Sequence, residues 1–65
     1  MDIKETIYIA IDKVKTGEQL DSGEFWCVQG MFEAAIIKRF SNELIAQHLG
    51  VTEEEINMLQ KRMIQ

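Results

Sequence analysis

The chain has 65 residues, 46% of them hydrophobic, with 7 Lys and Arg against 11 Asp and Glu and a formal net charge of −4. That length holds one domain, residues 1–65, which buries only about 60% of the surface its unfolded form exposes and so needs good packing, a cross-link, a metal or a second subunit. Cys27 is the only cysteine, which excludes an internal disulfide; with His48 as the one histidine a structural zinc is disfavoured, and the acidic balance lacks the basic surplus of a general nucleic-acid binder.

One thiol and no disulfide framework fit a reducing compartment. The opening Met1-Asp2-Ile3-Lys4-Glu5-Thr6 is too charged for a signal peptide, and no apolar run approaches the roughly 18 residues of a membrane span, so the expected location is the cytoplasm with no membrane partner. The chain has no proline, repeat or low-complexity linker; Gly17, Gly23, Gly30, Gly50 and polar clusters divide it into four expected helices.

The first is expected over Ile3–Lys15 with Asp2 as N-cap. Ile3, Ile7, Ala10, Ile11 and Val14 recur at helical spacing. The run Ile7–Ile11 is β-prone, with a strand as the alternative; the longer stripe favours a helix, which Gly17 ends after Thr16. Residues 16–22 connect, with Leu20 tucked inward. Asp21 with Glu24 resembles a capping box, Ser22 being the competing cap.

The second helix, about Gly23 to Phe40, is the most apolar part of the chain. Phe25, Val28, Phe32, Ile36 and Phe40 trace one face, while Trp26, Met31, Ala34, Ala35 and Ile37 fill much of the rest. Three other short helices hardly enclose such a helix. Its surplus apolar surface points to a partner or to a homodimer, with Trp26, Met31 and Ile37 as the candidate patch and core packing as the plainer role for the same residues. Gly30 costs about 1 kcal/mol relative to alanine inside a helix and suits close approach of another backbone.

From Ser41 the pattern changes. Ser41 caps a short helix, Asn42 to Leu49; Gly50 ends it, Val51 is an apolar plug, and Thr52 with Glu55 forms a Thr-x-x-Glu capping box opening a helix to about Met63. A helix-turn-helix needs a small residue where its helices cross, a glycine in the turn and apolar pins to the core. Ala46, Gly50, and Ile45, Leu49, Val51, Ile56 and Leu59 fill those places over residues 42–63. The expected fold is therefore all-α, a compact bundle of about four helices with a C-terminal helix-turn-helix.

Ser41-Asn42-Glu43-Leu44-Ile45-Ala46 followed by Leu49-Gly50-Val51-Thr52 resembles the motif of LuxR/GerE-type and sigma-region-4-like DNA-binding domains, a resemblance that covers residues 32–62. It implies that the last helix enters a major groove. The positions that would face DNA or a partner are Thr52, Glu53, Glu54, Glu55, Asn57 and Met58, with Lys61 and Arg62 two turns later and Lys38-Arg39 ahead of the motif. Three consecutive glutamates suit a helix N-terminus, where they are a solvated start; they suit phosphate poorly, and they equally suit a basic protein surface.

His48 has no second histidine or acid at ligand spacing, and Cys27 lies among apolar neighbours as a buried, inert thiol. No nucleophile elbow, phosphate loop or carboxylate pair is present, so no catalytic, metal or cofactor site is expected. The expectation is a small non-enzymatic regulatory protein of the kind found in transcription control, phages or mobile elements. It binds duplex DNA, as a dimer; the alternative is a protein-interaction module, an adaptor or inhibitor, without DNA binding.

Overall fold

Each helix of this chain begins at a side chain that accepts from one of its free N–H groups. In the computed structural model, which describes residues 2–64, α1 spans Ile3–Lys15, α2 Ser22–Lys38, α3 Asn42–Leu49 and α4 Glu53–Ile64. Asp2, Asp21 and Ser41 accept from Lys4, Glu24 and Leu44 N–H groups. Asp21 rather than Ser22 caps α2, in a full capping box with Glu24. At α4 the Thr52 Oγ1 accepts from the Glu55 N–H at 3.1 Å and Glu55 accepts in return from the Thr52 N–H at 2.9 Å.

Three helices end alike. Residues 17, 39 and 50 are left-handed, and the next N–H reaches back to a carbonyl of the last turn: Glu18 to Lys13, Phe40 to Ala35, Val51 to Ala46. Glycine serves at 17 and 50, but the middle position is Arg39, at φ 60°. The second helix therefore stops at Lys38, not at Phe40 as the sequence suggests, because the left-handed Arg39 and the Phe40 bond close it early.

The β-prone Ile7–Ile11 is helical, and no strand occurs among the described residues. Its isoleucines serve the bundle: Ile7, Ala10 and Ile11 meet Val28 and Ala35 of α2, Ile45 and Ala46 of α3, and Ile56 and Leu59 of α4 in one core. Val14, Leu20, Phe32, Leu49, Val51 and Met63 pack against it from outside. Ile7, Val28, Ile56 and Leu59 are the largest fully buried side chains, each worth about 1.5–3 kcal/mol relative to exposure. α4 packs on all three other helices, α1 also on α2, and α3 chiefly on α4. The radius of gyration, 10.7 Å, is that of a compact globule of this length.

The faces of α2 differ from the sequence expectation. The expected row of five does not act as one face: Val28 and Phe32 turn inward, with Met31 and Ala35 beside them, while Ile36 is 76% exposed and Phe25 and Phe40 are also exposed. A helix apolar nearly all round has no polar face to set its rotation; the small Ala35 fits the close contact better than the longer Ile36. Cys27 is half-buried rather than buried. Glu24 is the buried charge, accepting from the Lys13 ammonium at 2.8 Å and the Asp21 N–H at 2.9 Å, which ties α1 to the start of α2.

Candidate functional site

On α4 the helical period sorts the expected face. Ile56, Leu59 and Met63 point to the core, so Glu54, Asn57 and Lys61 lie outward, with Met58 half-buried beside them. The two flanks are tied down. Toward α1, the Lys15 ammonium meets Glu55 at 2.5 Å, and Arg62 donates to the Glu18 carbonyl at 2.8 Å, closing the α1–α2 connection onto α4. Toward α3, the Asn42 amide donates to Asn57 Oδ1 at 2.8 Å and to Gln60 Oε1 at 2.9 Å. Thr52 is spent as the cap, and Glu53 stands exposed at the helix start.

The eight expected positions thus separate. Glu55 and Arg62 hold the bundle together, Thr52 starts α4, Asn57 joins the amide cluster with Asn42, and the side chains of Glu53, Glu54, Met58 and Lys61 make no hydrogen bond or ion pair among the described residues. The amide cluster of Asn42, Asn57 and Gln60 escapes a sequence reading, since its partners are 15 and 18 residues apart and no motif marks them. Lys38 and Arg39 are exposed at the α2–α3 junction, just ahead of Asn42. His48 is exposed on α3, stacked on Phe40 with ring centres 5.6 Å apart, its Nδ1 3.0 Å from the Leu44 carbonyl.

Lys15 holds the Glu55 carboxyl below its ordinary value, helped by the Thr52 N–H, and Glu55 in turn raises the Lys15 ammonium. A depressed acid stabilises the fold above its unfolded pKa, near 4.5, and loses that contribution as pH falls through its lower folded value. The raised Lys15 acts oppositely: its contribution is present below about 10.5 and fades as pH rises through its higher folded value. Glu55→Gln is therefore expected to lower the melting temperature at neutral pH, with the difference from the parent shrinking on both the acid and alkaline limbs. Melting curves across pH check this; a difference that stays constant from acid to alkali contradicts the pairing.

The α2 patch divides too. Trp26 and Ile37 are 65% and 81% exposed on the outward side, whereas Met31 turns toward the core. Met31 lines an apolar groove of about 210 Å³ between α2 and α3, with Ala34, Lys38, Phe40, Ile45 and Leu49. No helix among the described residues is long and apolar enough to cross a membrane. The chain matches no protein-family model, no curated protein and no solved structure.

Proposed function

We propose that this chain is a small regulatory binding protein, acting without catalysis, whose α3–α4 unit is a helix-turn-helix presenting α4 to duplex DNA. The observation that carries the reading is the sorting of charge around α4. Pairing of Glu55 with Lys15 removes one of three glutamates from the approach, and the outward row is Glu54, Asn57, Met58 and Lys61. Amides at Asn42 and Gln60 border it, Asn42 donating to Asn57 and to Gln60, and Arg39 stands ahead of α3. Amide side chains read adenine edges, and flanking cations hold phosphates. Arg39 supports the same reading: the left-handed backbone there would suit glycine better by about 1 kcal/mol, so a cation is kept at a structural cost.

A titration of labelled duplex DNA at two salt concentrations tests this. With Arg39 and Lys61 as the phosphate contacts, log affinity is expected to fall with log salt at a slope of about −2. Arg39→Gly is expected to raise stability by about 1 kcal/mol while weakening binding and reducing the salt slope by about 1. Lys61→Ala weakens binding similarly; Arg62→Ala instead loosens the fold, because Arg62 serves the Glu18 carbonyl. No retardation of duplex at low salt removes the DNA reading.

A second reading is a protein-interaction module on the same scaffold. Its support is that Glu53 and Glu54 are exposed and make no ion pair among the described residues, on a chain of net charge −4. Such a face suits a basic protein surface and repels phosphate. In that case DNA affinity is absent and Glu53→Gln with Glu54→Gln weakens the protein contact.

A further inference from the structure

α2 carries a second surface that the fold itself does not use. Gly23, Trp26, Gly30, Ala34 and Ile37 are all exposed, and at the α-helical period they fall within a sector about 80° wide opposite Val28 and Ala35. Gly30 is the telling member. It sits mid-helix without a positive φ, and a Cβ built on it meets nothing within 4 Å, so neither turn geometry nor internal packing asks for glycine. Its cost of about 1 kcal/mol relative to alanine has no return inside the monomer.

The row is symmetric about Gly30. Gly23 and Ile37 lie seven residues to either side, Trp26 and Ala34 four. In an antiparallel pair of α2 helices crossing at Gly30, every large residue therefore meets a small one: Trp26 lies against Ala34 of the second copy, and Ile37 against Gly23 of the second copy. Charge agrees. Asp21 caps the start of α2 and the exposed Lys38 ends it, so antiparallel pairing sets Lys38 of each copy against the acidic start of α2 in the other and opposes the two helix dipoles. Glu33 lies at the margin, within 3.3 Å of the Gln29 amide, and keeps its water. We infer that this face binds a second copy of the chain as a two-fold, antiparallel α2–α2 dimer with Gly30 at the crossing. The dimer deepens the regulatory reading by pairing two α4 helices, and it stands without that reading. One helix stripe gives an interface at the small end of the specific range, so it dissociates on dilution.

Sedimentation equilibrium over a wide concentration range, without nucleic acid, tests it. The mass is expected to rise from 7.5 kDa toward twice that value. Trp26, the only tryptophan, shifts its emission to the blue over the same range. Gly30→Leu introduces a better helix former into open space, so its dilute melting temperature is at least that of the parent while its dimer weakens roughly tenfold or more. Lys38→Glu weakens the dimer less, and the loss shrinks at high salt. A mass of one chain at every concentration overturns the proposal, as does a Gly30→Leu dimer as tight as the parent's. Trp26 emission that shifts only when a different protein is added also overturns it. Because no DNA is present, failure here is distinct from failure of the duplex titration.

Discussion

Leu59→Ala is expected to remove about 3 kcal/mol of stability, which is a large share of the roughly 3–10 kcal/mol that a 65-residue domain holds. Leu59 is fully buried on α4, the helix that packs on each of the other three. Truncation removes the transfer free energy of its side chain and leaves a void. The site collapses poorly, because Ile7, Val28 and Ile56 are themselves fully buried and fixed on three different helices. Urea unfolding should show a lower midpoint with an unchanged slope, and at 37 °C a substantial unfolded fraction. A loss below about 1 kcal/mol would mean that α4 is not the hub of the core.

Ala46→Leu is expected to cost about 1–3 kcal/mol by overpacking. Ala46 is 3% exposed on α3, whose main neighbour is α4. Three added carbon atoms have to push α3 from α4 or force strained rotamers around Ile45 and Ile56. The exposed neighbour Gln47 provides the control, since Gln47→Leu adds apolar bulk on the same turn toward water and should shift stability by less than about 0.5 kcal/mol. Urea midpoints of the two variants make the comparison. Equal midpoints would remove the close approach of α3 to the core. If α4 is the DNA-facing helix, Ala46→Leu also weakens duplex binding without touching any exposed residue.

How much of this was legible in the sequence depends on the range of the interaction. Helix starts are local: Asp2, Ser41 and the Thr52–Glu55 box announce themselves within three or four residues, and the structure uses them where the pattern places them. The pins Ile45, Ile56 and Leu59 and the small Ala46 between them are legible for the same reason, because the helical period marks them as buried. The rotation of α2 is not, since a helix apolar on most sides offers two competing stripes, and only the fit of Ala35 rather than Ile36 against its neighbours decides between them. Arg39 hides a helix end because glycine is the usual signal for a left-handed stop. The candidate site depends on long-range pairs. Lys15 with Glu55, Arg62 with the Glu18 carbonyl and Asn42 with Asn57 join residues far apart in the chain, and these pairs decide which charges of α4 are free.

Amide chemical-shift mapping during a low-salt duplex titration decides whether α4 and the residues ahead of α3 face duplex DNA while α2 faces elsewhere. The expected result is movement at Arg39, Asn42, Glu54, Asn57 and Lys61 that reverses with added salt, with Gly23, Trp26 and Ile37 unchanged at a protein concentration high enough to keep the α2 pair formed throughout. Absence of any movement, or movement confined to the α2 stripe, would contradict that placement of α4.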